Sequence, residues 1–216
     1  MIKLSKTSKL DGILSWSLQA LDTCPASKNK DGTLVDACKG CYATTGNYNF
    51  PNVKAPRAHN KEDFKRDSWV SDMIQGLDSS RYFRWFDSGD MFSLELADKI
   101  YDVMVATPWV KHWLPTRMHK FKKFHSVIAK MQALPNVVVR FSSDSVDGQI
   151  IEGVTTSTIF SDTLPSGAVE CKAYQHEGKC NGCRACYDKT VSVIAYKAHG
   201  VKMAKVIKIL QVKGVM

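Results

Sequence analysis

Apolar residues recur at helical spacing in three segments of the chain, which span residues 60–77, 93–108 and 124–135. The second segment has Ser93 in the position of an N-cap, and Pro108 lies beyond its last apolar residue. The third segment ends at a proline, which disfavours helix in the residue before it. The pattern therefore predicts three amphipathic helices.

Runs of β-branched and aromatic residues lie between and after these segments. The runs cover residues 81–90, 110–117, 136–145, 153–162, 191–199 and 204–212. The order of strand, helix, strand, helix, strand and strand predicts a parallel sheet with right-handed crossovers. About six strands are fewer than the eight of a closed barrel. The predicted fold class is α/β, with an incomplete (β/α) barrel-like parallel sheet.

The first half of the chain carries three cysteines: Cys24, Cys38 and Cys41, in a C-x13-C-x2-C pattern. An odd total of seven cysteines, in a chain without an apparent export signal, favours metal or redox chemistry over disulfides. Three thiolates would leave one iron of a 4Fe–4S cube open for chemistry. His59 or Asp36 as a fourth ligand of a closed site remains the alternative.

A second cysteine-rich loop lies near the C-terminus. Its cysteines are Cys171, Cys180, Cys183 and Cys186. The run C-x2-C-x2-C is typical of loops around an iron–sulfur cluster, whereas zinc sites more often use two separate pairs. The spacing predicts a closed 4Fe–4S cluster, with zinc as the alternative, and His176 is a candidate substitute for one thiolate.

We expect one domain over residues 1–216, with two cysteine-rich metal-binding loops attached to a βα core. Its predicted parts are an N-terminal cysteine loop region at 1–60, the core at 80–165, the second cysteine loop at 168–190 and C-terminal strands at 191–216. No apolar run approaches the roughly 18 residues of a membrane span. We therefore expect a cytoplasmic protein without a membrane partner.

The formal net charge of +9 favours polyanionic partners, so nucleic acid is a candidate ligand. The lysines are scattered except in residues 119–125 and 202–213. At a predicted strand end, Arg117 is placed either to clamp a carboxylate or phosphate or to form a surface salt bridge. The turn around Asp87 and Asp90 is either a ligand-binding motif or an Asx turn before the second helix.

The loop CKGCYA and the strand-end motifs SGD and VRFSSDS resemble a shortened radical S-adenosylmethionine domain. The resemblance implies that the first three cysteines hold a 4Fe–4S cluster whose open iron chelates S-adenosylmethionine. It also implies that the cofactor contacts two strand ends. The implied cofactor-binding residues are Ser88, Gly89, Asp90, Ser142 and Asp144.

The stretches CYATTGNYNFPNV, RAHN, DSGDMFS and CRACYDKTVSVIAY resemble a phage-encoded family described as gene-product-88-like, over about residues 20–200. This resemblance implies a location in the cytoplasm of an infected host cell. The leading hypothesis is an iron–sulfur protein, a radical S-adenosylmethionine-like oxidoreductase or transferase with an auxiliary cluster and an electron donor. The alternative is a non-catalytic accessory protein, with iron–sulfur or zinc sites, whose basic surface binds nucleic acid or a host partner.

Overall fold

The computed structural model describes residues 1–214 and shows a mixed α/β fold with an eight-stranded sheet. The strands are β1 (Ser5–Lys6), β2 (Leu14–Trp16), β3 (Tyr82–Trp85), β4 (Lys111–Thr116), β5 (Val137–Ser142), β6 (Thr156–Phe160), β7 (Val169–Glu170) and β8 (Val193–Lys197). Their order is β1-β2-β3-β4-β5-β6-β8-β7, and every pair is parallel except β1 with β2. The sheet is open, so the predicted α/β class is confirmed but its barrel-like character is not.

The helices are α1 (Asp36–Lys39), α2 (Pro51–Asp63), α3 (Trp69–Gly76), α4 (Leu94–Ala106), α5 (His125–Ala133) and α6 (Val201–Val212). Ser93 caps α4 as predicted, because its side chain accepts a hydrogen bond from the Leu96 amide at 3.2 Å. The segment at 60–77 belongs to two helices, α2 and α3, separated by residues 64–68.

The predicted strand at 204–212 is wrong, because these residues form most of α6. The buried residues of this helix are Met203, Val206 and Leu210, whose spacing of three and four places them on one helical face. That face packs with Ala37 of α1 and with Val146. Tertiary packing therefore decides the conformation of an apolar, lysine-containing run that also satisfies a strand pattern.

One face of the sheet is the main hydrophobic face. Phe83 and Trp85 of β3 and Leu114 of β4 lie in one buried cluster with side chains from α3, α4 and α5. The alternation of a strand places the neighbouring residues on the opposite side. Trp16, Trp69 and Trp85 also contact one another edge to face or tilted, so aromatic rings make up much of this core.

The opposite side, here called the inner face, is defined by Arg84 of β3, Trp113 of β4, Arg140 of β5 and Tyr196 of β8. The parallel register pairs Arg84 with Trp113, and strand alternation places the other two on the same side. Part of it is covered by the second cysteine loop, whose Tyr187 ring lies 5.8 Å from the Trp113 ring. The inner face is therefore polar as well as aromatic, unlike the main hydrophobic face.

The parallel strands β3, β4 and β5 end side by side, and we call this margin the carboxyl edge. The last residue of β5 and the turns that follow these strands contain the predicted site residues at 88–90, 117 and 142–144. In the described part of the chain, no helix has the length and apolar character that a bilayer crossing requires.

Candidate functional site

Asp90 joins the ends of β3 and β4 at the carboxyl edge. Its Oδ1 accepts hydrogen bonds from the Thr116 hydroxyl at 2.7 Å and from the Met91 amide at 2.8 Å, and its Oδ2 accepts from the Arg117 amide at 2.9 Å. The residue is 6% exposed, and burial raises the pKa of its carboxyl group. Asp90 therefore has a structural role in the turn after β3, where its hydrogen bonds hold the ends of β3 and β4 together.

Ser88 and Gly89 are packed too tightly in this turn to leave open space around them. The Ser88 hydroxyl donates to the Leu18 carbonyl at 2.6 Å and accepts from Arg57 Nε at 2.7 Å. Gly89 has a φ of +83°, and a Cβ there would lie 2.5 Å from Leu18 Cβ and 2.7 Å from Thr23 Oγ1. The small residues of the SGD motif are therefore explained by close approach of the chain that follows β2.

Asp144, after β5, is part of an ion network at the same edge. It accepts hydrogen bonds from Arg117 Nε at 3.2 Å and from Lys120 Nζ at 2.6 Å. Arg117 also donates to the Ser143 carbonyl at 2.7 Å, while Ser142 is the half-buried last residue of β5. Arg117 was expected either to clamp a ligand or to form a salt bridge, and the structure contains the salt bridge, to Asp144.

The first three cysteines lie above this edge, each on a different local turn. Cys24 precedes a short 3₁₀ turn, Cys38 lies within α1, and Cys41 precedes a second 3₁₀ turn. Burial, with the charge of Asp90, raises the pKa of Cys24 to about 12. Burial also raises the pKa of Cys38 and Cys41. These groups are therefore protonated thiols at neutral pH rather than nucleophilic thiolates.

Two thiols of the second cysteine loop are also buried enough to have a raised pKa. Burial raises the pKa of Cys180 to about 11 and also raises that of Cys186. The Cys186 sulfur lies 3.6 Å from the Tyr196 hydroxyl on the inner face. Cys183 is exposed, whereas Cys171 is partly buried, so the four thiols differ in their surroundings.

The predicted cofactors are wrong. Among residues 1–214, no group of three or more His, Cys, Asp or Glu side chains is arranged to hold a metal ion. This finding overturns the 4Fe–4S clusters and the zinc alternative predicted from the seven cysteines. S-adenosylmethionine is expected on an open iron of the first cluster, so that expectation falls with the cluster, whereas the electron donor stays a prediction. The cysteine spacing along the chain does not by itself orient thiols on separate turns as the ligands of one metal centre.

Two arginines of the inner face were not singled out from the sequence. Arg140 is fully buried and donates to three carbonyls of the second cysteine loop and to one just after it: Ala185 at 3.0 Å, Cys186 at 3.1 Å, Asp188 at 2.9 Å and Val191 at 2.8 Å. A charged residue inside the apolar run NVVVRF was the available signal.

Arg84, the second, is half-buried on β3. In the strand, Phe83 and Trp85 are two residues apart and Arg84 lies between them, and this period of two is the signal that places Arg84 opposite the main hydrophobic face.

A surface cavity of about 530 Å³, here called the α6 groove, lies between the α1 region and the start of α6. Its lining residues are Gly40, Tyr42, Thr45, His199, Gly200, Val201, Lys202, Met203 and Lys205. Lys202 Nζ crosses the groove to the Thr44 hydroxyl at 2.7 Å. The ring of His199 lies 4.1 Å from that of Tyr174, which is 61% exposed.

Comparison with known proteins identifies one family. The model of the family described as "Gene product 88" matches residues 1–189, which is most of the chain. No curated protein and no solved structure matches the chain. The comparisons therefore support the predicted resemblance to the phage gene-product family, and they do not show the predicted similarity to radical S-adenosylmethionine domains.

Proposed function

The chain belongs to the gene product 88 family, and for this member we propose an accessory function: it binds single-stranded nucleic acid through the α6 groove. The observation that carries the proposal is that one concave surface combines lysines with the exposed ring of Tyr42, while the exposed ring of Tyr174 lies against its lining residue His199. Nonspecific single-strand binders combine a basic groove for the phosphates with aromatic side chains on which bases stack.

The charge that α6 brings to this surface is positive only. The sequence after Asp188 contains no acidic residue, and its lysines are Lys189, Lys197, Lys202, Lys205, Lys208 and Lys213. Three of them, at positions 202, 205 and 208, are exposed on α6. Because no carboxylate of α6 neutralises them, their field extends into the groove and attracts phosphates.

Two aromatic groups supply stacking surfaces beside these lysines. Tyr42 lines the groove and is 49% exposed, although its hydroxyl is held by a 2.6 Å hydrogen bond to the Asp87 carbonyl. Tyr174 lies against His199, a residue of the groove lining, with the two rings tilted by 39° and their centroids 4.1 Å apart. Rings fixed in this way lose little entropy when a base stacks on them, and a duplex, whose bases are already stacked, gains nothing from them.

The test is fluorescence anisotropy with a labelled oligothymidylate of about 12 nucleotides, titrated at several salt concentrations. The double variant Lys202→Gln/Lys205→Gln should bind about tenfold more weakly at low salt and lower the salt slope by about 1.4. Tyr174→Ala should weaken binding by about 1–3 kcal/mol and leave that slope unchanged, because it removes stacking and no charge.

The matched control is Lys122→Gln/Lys123→Gln, which removes the same charge from two exposed lysines beyond β4. It should keep the affinity and the salt slope within about twofold of the parent. Equal losses in the two double variants would mean that binding follows net charge and not the groove. A duplex of the same sequence that bound as tightly as the single strand would also reject the proposal.

A further inference from the structure

We propose that the inner face contains a second binding site, centred on Arg84, for the carboxylate or phosphate group of a small molecule. Arg84 lies in the middle of β3, half-buried, so that solvent reaches part of its side chain. Among residues 1–214 it forms no salt bridge, and its buried Nε has no hydrogen-bond partner. Its one polar contact is long, 3.5 Å from Nη2 to the Tyr42 hydroxyl.

Arg57 and Arg140, which are buried, have hydrogen-bond partners that Arg84 lacks. Arg57 uses Nε, Nη1 and Nη2 on Ser88, Val53 and Asp87. Arg140 uses Nε, Nη1 and Nη2 on backbone carbonyls. The Nε of Arg84 is withdrawn from water without such a partner, and this carries a desolvation cost that a bound oxyanion would offset.

Within residues 1–214, no carboxylate or carbonyl oxygen accepts a hydrogen bond from Arg84, whose one acceptor is the Tyr42 hydroxyl. The Trp113 indole Nε1 and the Tyr187 hydroxyl are buried without hydrogen-bond partners, and the Trp113 and Tyr187 rings lie 5.8 Å apart. An indole N–H can only donate, and a guanidinium can only donate. The nearest carboxylate that influences Arg84 is Asp87, and its two oxygens are engaged by Arg57 and Tyr48. The ligand that fits is therefore rich in acceptors and negatively charged.

The orientation of the guanidinium favours a forked acceptor. Arg84 Cζ lies 4.5 Å from the centroid of the Trp113 ring, a cation–π contact that restrains the side chain against the inner face. A restrained guanidinium binds carboxylate or phosphate through two parallel N–H···O bonds, which an ammonium group cannot reproduce. Tyr42 and Tyr196 stay neutral beside it because burial of their hydroxyl groups raises the pKa of both phenols, although the ring of Tyr42 is partly exposed.

The test uses ¹⁵N-labelled protein and two probes, inorganic phosphate and malonate, each titrated at constant ionic strength against chloride. The readout is the indole N–H signal of Trp113, assigned by its loss in Trp113→Phe. We expect a saturable shift of this signal with at least one probe, and the stronger probe identifies phosphate or carboxylate as the preferred group. Arg84→Gln should weaken the binding by about tenfold or more, and Arg84→Lys should give an intermediate loss.

Arg81→Gln is the matched control, because Arg81 is an exposed arginine just before β3 and its loss changes the net charge equally. It should bind both probes like the parent protein, as should Lys202→Gln/Lys205→Gln, whose substitutions affect only the α6 groove. Circular dichroism and thermal unfolding verify that each variant is folded. The proposal is overturned if neither probe gives a saturable shift, or if Arg81→Gln weakens binding as much as Arg84→Gln.

Discussion

Arg57 of α2 and Asp87 after β3 form an ion pair in the interior of the protein, with 2.9 Å between Nη2 and Oδ2 and side chains only 8% and 9% exposed. Arg57→Met leaves the Asp87 carboxylate buried without its partner, so we expect the free energy of unfolding to fall by about 3–5 kcal/mol. Urea denaturation followed by circular dichroism measures this.

The control on the same helix is Lys61→Met, because Lys61 pairs with Asp22 at 2.7 Å in a much more exposed position. Removal of such a pair should cost less than about 1 kcal/mol. If the two substitutions lower the free energy of unfolding equally, burial does not make the Arg57–Asp87 pair more stabilising than an exposed pair.

The backbone conformation of Gly89 leads us to expect a second large loss of stability, on substitution by alanine. Gly89→Ala places a Cβ in a left-handed conformation and against Leu18, so unfolding should become easier by about 2–4 kcal/mol. Gly153 has a φ of +75°, and a Cβ added there would meet no atom within 4 Å, so Gly153→Ala should cost only about 1 kcal/mol. Thermal or urea unfolding of both variants separates the steric contribution from backbone strain, and equal costs would rule out the clash at Gly89.

The hydrogen bonds of Arg140 are expected to limit the access of reagents to the thiols of the second cysteine loop. Arg140→Met removes the donors for four carbonyls, so the loop should open more often and Cys180 and Cys186 should be alkylated faster. Timed reaction with N-ethylmaleimide, followed by peptide mass spectrometry, gives the rate for each thiol. Lys172→Gln, at an exposed position of the same loop, should leave both rates unchanged. A rate increase confined to the already exposed Cys183 would contradict the anchoring role of Arg140.

His112 predicts part of the pH dependence of stability. It is fully buried; its Nδ1 accepts from the Trp85 indole at 3.3 Å, and its Nε2 lies 2.9 Å from the Thr107 hydroxyl. Burial lowers the pKa of His112 to about 3, well below the ordinary value of 6.5. The unfolded chain therefore binds the extra proton first, and the stability from this residue is lost as pH falls from about 6.5 towards 3.

Urea unfolding between pH 7 and 4 measures this loss, and His112→Leu should flatten the pH profile even if it lowers stability at pH 7. Such a variant removes the titrating group while keeping an apolar side chain among Phe83, Trp85 and Thr107. His125 is exposed, and His125→Leu should leave the shape of the profile unchanged. An unaltered profile in His112→Leu would show that other groups cause the acid sensitivity.

The sequence predicts the strands of the sheet well where local preference and burial agree. The runs around β3, β4, β5, β6 and β8 are rich in β-branched and aromatic residues, and all of them are strands. The run KVIKIL suits a strand or a helix by pattern alone, and contact with Ala37 and Val146 makes it helical. Contacts between residues distant in sequence decide such cases, and no local pattern records them.

The candidate site is harder to predict because its chemistry depends on which partners meet. The polar strand ends were located, since Asp90 and Asp144 both contact Arg117 at the carboxyl edge. The predicted metal sites are wrong, because regular cysteine spacing does not reveal how the intervening turns orient the thiols. Arg84 was missed because its lack of a carboxylate partner results from Asp87 being taken by Arg57 of a separate helix.

The sheet ends on both sides in a strand of only two residues, β1 on one side and β7 on the other. Unpaired amides and carbonyls along a sheet margin are what another chain uses to add its own strand. Because each edge strand is so short, the folded protein offers a neighbouring copy little backbone for strand addition, and we expect the sheet margins not to nucleate fibrils.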